Sequence, residues 1–191
     1  MNILAIDIAG KNRNGFALRN SNGNLLWWNT LPKKREDPVV HRQKIVEIIN
    51  ECFEKYKVDI ILYEKINLFR ASKISLPSIL SLCKVQTTIL DNFSDKATII
   101  EIPVQSWKAM VLKNYGGAHA DKDSAINWVI ENEIDKHNLD IPIQVEVGVR
   151  KKVTEFNHDL ADAIAMSYVI LCEKFHNEYL CKKSKYNVTG K

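Results

Sequence analysis

The sequence predicts an α/β domain: a mixed five-stranded sheet, an antiparallel meander followed by parallel strands, with helices on both faces. Three observations carry that expectation. Residues 3–6 and 59–63 are almost continuously apolar, as strands covered on both sides are. Residues 16–19 and 25–30 flank the turn-forming run Asn20-Ser21-Asn22-Gly23-Asn24 and read as a hairpin. Beyond residue 38, helix-period segments alternate with strand-like ones, the pattern of helices packed on a sheet.

The elements follow in order. Residues 3–6 deliver Asp7 at the end of a core strand, and residues 10–15 form a polar loop before the hairpin. Pro38 opens a helix to about residue 56, with Val40, Ile45, Ile48, Ile49, Cys52 and Phe53 as its apolar stripe. The strand at 59–63 again ends in an acid, Glu64. A second helix is expected over about 74–93, with Pro77 near its start, and a strand over 97–102, closed by Pro103. Residues 113–123 hold Gly116-Gly117 and read as a loop. Helices are expected over about 124–133 and 157–176, whereas 140–150 has no clear period.

A chain of 191 residues suits one core, taken here as a single domain over 1–180 with a basic tail over 181–191. Hydrophobic residues at 46% and charged residues at 26% exclude collagen-like and low-complexity classes. The net charge of +4 permits an anionic partner without demanding one. Cys52, Cys83, Cys172 and Cys181 lack zinc or CxxC spacing, so free thiols and a cytoplasmic setting are expected. The longest nearly apolar stretch, 160–172, is too short to span a bilayer, so no membrane association is expected.

The chemical signal lies in where the acids fall. Asp7 and Glu64 end core strands, and the carboxyl edge of an open α/β sheet is where ligands bind. Asp159 and Asp162 are three residues apart, on one helical face. Asp162 interrupts Leu160, Ala161, Ala163, Ile164, Ala165 and Met166, so its carboxylate is unfavourable without a compensating cation. The alanines let that helix approach the sheet closely. Each residue alone admits a plainer role: Asp7 capping a turn, Glu64 pairing with Lys65 or Arg70, Asp159 favouring a helix N-terminus, His158 a surface position. Converging, the four acids suit hard oxygen-seeking ions, two Mg2+ per site with Mn2+ as a substitute, and hence phosphodiester hydrolysis.

Three segments carry a family resemblance. "ILAIDIAGKNRNGFAL" (3–18), "DIILYEK" (59–65) and "HDLADAIAMSYV" (158–169) resemble motifs of the RuvC-like Holliday junction resolvases of the ribonuclease H superfamily, especially the small phage-type members. The resemblance implies a ribonuclease H-like fold with Asp7, Glu64, Asp159 and Asp162 as catalytic metal ligands. "VQSWKAMVLKNYGGAHADK" (104–122) is similar to the family segment bearing lysines near the scissile region, which implies Lys108 and Lys122 as DNA contacts. The family's Asp-Pro-Gly opening is here Asp7-Ile8-Ala9-Gly10. Where many members carry a wedge aromatic this chain has Asn67, and Phe69 is the nearest aromatic. Some members use His in the last motif, which leaves His158 open beside Asp159.

The implied activity is Mg2+-dependent nicking of four-way DNA junctions to 5'-phosphate and 3'-hydroxyl ends, by a homodimer; the second helix, apolar over a wide arc, either forms its centre or only packs on the sheet. Branched DNA is the expected partner, and host cytoplasm the setting for a phage-encoded chain. Basic clusters at Lys33-Lys34-Arg35, Arg150-Lys151-Lys152 and Lys182-Lys183-Lys185 fit phosphate contacts rather than base readout. Broader branched-DNA or RNA-containing substrates are the alternative within the superfamily. An actin-like ATP-binding phosphotransferase also begins with Asp-x-x-Gly, but it needs a second lobe that this length does not easily supply.

Overall fold

Alternation along the central strand β1 (Asn2–Asp7) decides what each face of the sheet becomes. The computed structural model describes residues 1–8, 13–32, 37–66, 75–121, 123–147 and 153–181. β1 pairs antiparallel with β2 (Asn14–Asn20), which pairs antiparallel with β3 (Leu25–Leu31). On its other edge β1 pairs parallel with β4 (Ile60–Glu64), and β4 with β5 (Thr98–Ile102). The order β3-β2-β1-β4-β5 is the mixed five-stranded sheet that the sequence predicts.

Leu4 and Ile6, with Phe16, Leu18, Ile61 and Tyr63, pack against α1 (Pro38–Lys55) and α2 (Leu76–Phe93). Ile3 and Ala5, with Ala17, Ile60 and Leu62, face α3 (Val104–Val111), α4 (Ser124–Val129) and α6 (His158–Ser167). Helices therefore cover both faces. Trp27 joins the first cluster and Trp28 the second, as neighbours on a strand must. Trp107 and Trp128 are core residues.

Local chemistry explains the helix starts. Asp37 Oδ1 accepts from Val39 N at 2.6 Å, and Pro38 sits in the first turn of α1. Ser75 caps α2 in the same way.

Several boundaries differ from the sequence reading. Val104–Val111 is helical directly after Pro103, a helix that no clear apolar period announces. The expected loop over 113–123 contains two 3-10 turns, Lys113–Tyr115 and Gly117–His119. The helix beginning at Ser124 runs past residue 133, through a π turn (Ile130–Ile134), into α5 (Asp135–His137). The segment without a clear period contributes one arm of a second sheet, the hairpin β6 (Gln144–Val147) and β7 (Val153–Phe156).

The expected long helix over 157–176 is not continuous. After α6 the chain tightens into a 3-10 turn (Tyr168–Leu171) and breaks at Cys172, whose backbone is extended at φ −91°, ψ 120°. It resumes as α7 (Glu173–Phe175) and a π turn (His176–Leu180). Among the described residues no helix is long and apolar enough to cross a membrane.

Candidate active site

Strand parity sets the first two acids on one face. Asp7 continues the Ile3–Ala5 row and Glu64 the Ile60–Leu62 row, so both belong to the face covered by α6. The β1/β4 register, Ala5 opposite Leu62, carries Asp7 beside Glu64 at the carboxyl ends of two parallel strands. On its other side Asp7 is paired with Gly15 of β2.

Gly15 is where α6 touches the sheet. A Cβ built on it would lie 2.0 Å from the carbonyl oxygen of Asp159 and 2.7 Å from Leu160 Cα, so only glycine admits this approach. Asn157 opens α6, its side-chain oxygen accepting from Leu160 N at 3.3 Å and its own N–H donating to Ile143 O at 2.6 Å. That seat holds Asp159 in the first turn and Asp162 one turn further on. Ala161, Ala163 and Ala165 are fully buried.

The far end of α6 is held by β2 as well. Arg19, 1% exposed, donates to Ser167 Oγ at 3.0 Å, Gly23 O at 2.7 Å and Glu133 Oε1 at 2.5 Å, and lies 5.2 Å from the Tyr168 ring centroid. Arg19 and Glu133 form a buried ion pair across the core.

The four acids meet electrostatically. Each is half-buried at the rim. Withdrawal from water, then the charges of Glu64, Asp162 and Asp159 and a hydrogen bond with Asp159, push the Asp7 carboxyl well above its ordinary range. Burial, then Glu64 and Asp159 against the opposing pull of Lys108, raises Asp162 to about 7. Asp159 is raised by burial, with Arg13, His158 and the Asp7 hydrogen bond acting the other way. Burial also raises Glu64, against Trp107 and Lys108.

Neighbours missed in the sequence complete the site. Trp107 Nε1 donates to Glu64 Oε1 at 2.7 Å, and Gln86 Nε2 of α2 donates to Glu64 O at 3.0 Å. Lys108, which the sequence did single out, donates to Ala120 O at 3.2 Å while its charge reaches Glu64 and Asp162. Arg13 acts on Asp159 from the start of β2. His158 Nε2 lies 4.0 Å from Asp123 Oδ1, while Asp159 makes the hydrogen bond to Asp7. Lys122, Phe69, Arg150, Lys151 and Lys152 lie outside the described residues, as do Arg70, Asn67, the 33–35 cluster and the tail from 182.

The donor set fits a hard divalent cation. Asp159, Glu64 and Asp162 crowd Asp7 closely enough to hold its carboxyl well above its ordinary range, a repulsion that a bound cation would relieve. Among the described residues no three His, Cys, Asp or Glu side chains form a ready-made cage for one ion. Mg2+ is ordinarily held by one or two carboxylates, with water and substrate phosphate completing its shell. The fit is therefore one of chemistry rather than of a preformed cage. A surface cavity of about 790 Å³ opens at the opposite, amino-terminal end of β4 and β5, lined by Phe53, Tyr56, Asp59 and Leu90, and none of the four acids lines it.

The sheet order, with helices on both faces, is a ribonuclease H-like fold. The chain is similar to Thermus thermophilus RuvC, with 16% identity and a TM-score of 0.58 over 93% of this chain and 95% of that one. It is similar to T. thermophilus RuvC in complex with a Holliday junction substrate, with 15% identity and a TM-score of 0.57 over 93% and 94%. The yeast mitochondrial Holliday junction resolvase Ydc2 gives 16% and 0.56 over 95% of this chain and 83% of that one. No protein-family model and no curated protein sequence matches the chain.

Proposed function

We propose that the chain is a divalent-metal-dependent endonuclease that resolves four-way DNA junctions, leaving 5'-phosphate and 3'-hydroxyl nicks. One observation carries the reading: four carboxylates from β1, β4 and α6 are close enough at one sheet edge to shift one another's proton affinity. The likeness in fold to two junction resolvases supports it.

Asp7, Glu64, Asp159 and Asp162 are the residues that would hold the ions, with Asp7 on the central strand, the most rigid support. Bound there, two divalent ions supply Lewis-acid activation and neutralise charge building on the scissile phosphate. The protein's own part is positional and electrostatic. The sheet fixes Asp7 and Glu64, and the seat of α6 on Gly15 fixes Asp159 and Asp162. Lys108, held by the Ala120 carbonyl, offers positive charge to an incoming phosphate. Arg13, whose charge acts on Asp159, adds to that positive potential.

A junction with two-fold symmetry needs two incisions, which suits a homodimer. Supporting this, α2 exposes Leu76, Leu80 and Leu90 at 66%, 50% and 39%. With Cys83 and Thr87 they form a seam with a 3.5-residue repeat, as two paired helices require. Sedimentation as a monomer at micromolar concentration, or loss of dimerisation failing to follow Leu80→Lys, counts against this interface.

The decisive assay incubates labelled four-way, Y-shaped and linear DNA with the protein, with Mg2+ and with chelator. The expected result is paired Mg2+-dependent nicks in the four-way substrate. Asp7→Asn should abolish nicking and leave junction binding intact. Equal cleavage of Y-shaped DNA supports the broader-substrate alternative, and full cleavage by Asp7→Asn ends the proposal.

A further inference from the structure

Glu64 is gripped from both faces of the sheet. Gln86 of α2 holds its backbone carbonyl, while Trp107 of α3 holds its side chain at 2.7 Å. That distance belongs to the short, charge-assisted range for an N–H donating to a carboxylate. Trp107 is fully buried, and a buried indole N–H finds a partner. Its partner here is a site carboxylate 43 positions away in the chain.

The chemistry of the donor matters. An indole N–H donates and cannot accept, carries no charge, and does not compete for a metal. A lysine in its place would neutralise Glu64 and repel an incoming cation. Lys108, next in sequence, donates to the Ala120 carbonyl and lies 5.6 Å from the Trp107 ring centroid, so its charge reaches Glu64 from a distance while the indole makes the direct bond. The indole thus stands between the carboxylate at its edge and the ammonium at its face.

We propose that Trp107 is a positioning residue for the metal site: its indole N–H commits Glu64 Oε1, presents Oε2 to a divalent ion, and couples that ligand to the helix bearing Lys108. The inference rests on the metal-dependent reading of the four acids. Groups that orient a metal ligand from behind typically govern metal affinity by about 10- to 100-fold.

The test uses the full chain labelled with 15N, whose four tryptophans give four indole signals. Trp107→Phe identifies the Trp107 signal by its disappearance. That signal should move on Mg2+ titration and be displaced in Glu64→Ala, while the Trp128 signal stays put. In parallel, Trp107→Phe should raise the half-saturating Mg2+ for cleavage, and the Mn2+ dissociation constant measured by electron paramagnetic resonance, about 10-fold or more. Cleavage at saturating metal should recover most of the wild-type rate. A lower melting temperature with unchanged Mg2+ and Mn2+ dependence would mean that Trp107 merely fills space, and the proposal falls.

Should Trp107→Phe fail to fold, Glu64→Ala assigns the signal and the wild-type titration decides: an indole signal indifferent to Mg2+ overturns the link. A wild-type protein that binds Mn2+ and shifts the Trp107 signal but cleaves no DNA refutes the nuclease reading alone.

Discussion

On the face covered by α1 and α2, strands β1 and β2 present Leu4, Ile6, Phe16 and Leu18, whereas under α6 the same two strands carry Ile3 and Arg19 at one end and narrow to Ala5, Gly15 and Ala17 towards the acids. Large side chains hold a helix at arm's length and give cohesion through buried area. Small ones let a helix backbone rest on the sheet, which is how Asp159 and Asp162 come within reach of Asp7 and Glu64. The contrast teaches that buried bulk gives cohesion on both faces, while its absence beside the acids supplies geometry. Mutations of similar size should therefore have different consequences on the two faces.

The largest effect tests what anchors the small-residue face. Arg19→Met leaves Glu133 charged and buried, and should cost about 3–5 kcal/mol in urea unfolding. The double change Arg19→Met with Glu133→Leu should recover much of that loss. If Arg19→Met is neutral, the far end of α6 is not held by this pair.

Gly15→Ala comes next. The methyl must push the first turn of α6 off β2, and displacement of about 1 Å at a catalytic group costs about 100-fold in rate. Junction binding should survive. Wild-type cleavage by this variant would break the comparison between the faces.

A pH series sharpens it further. Asp162 is raised from 3.8 to about 7, and Asp7 is raised too, so the metal-free fold takes up protons that the unfolded chain has already lost. The contribution of Asp162 to stability is full below about pH 3.8 and lost as pH climbs through about 7, and Asp7 acts in the same direction. The metal-free protein should thus melt a few degrees lower at about pH 8 than at about pH 6. Added Mg2+ should raise the melting temperature more at the higher pH, where it no longer displaces protons. Asp162→Asn should flatten both trends, and a melting temperature that rises with pH in the metal-free protein contradicts the charge crowding.

The smallest effect is the control on the opposite face. Ile49→Val in α1, fully buried there, should cost about 1 kcal/mol and leave the Mg2+-dependent rate unchanged.

Much of this was legible in sequence because it is local. Apolar runs ending in Asp7 and Glu64 identify strands and the edge they point from, and Asp162 stands out in an otherwise buried helix. What escaped is non-local or short. The Trp107–Glu64 bond joins residues far apart in the chain, and a core tryptophan gives no sign of where its N–H will point. Arg19 left a readable trace, a charge closing a strand flanked on both sides, but Glu133 sits in a π turn that no periodicity announces. The hairpin at Gln144–Val147 mixes charged and apolar residues over too few positions to declare itself. The break at Cys172 has no local signal, since 168–176 holds neither proline nor glycine.

The contact between β2 and α6 is made by main chain against main chain. Side chains are interchangeable parts, and a bad fit between two of them is often repaired by altering a third. A fit between two peptide backbones offers no such second chance. Anyone retuning this protein by directed evolution should expect substitutions to accumulate among the acids' neighbours while position 15 tolerates none, whatever else in the library has changed.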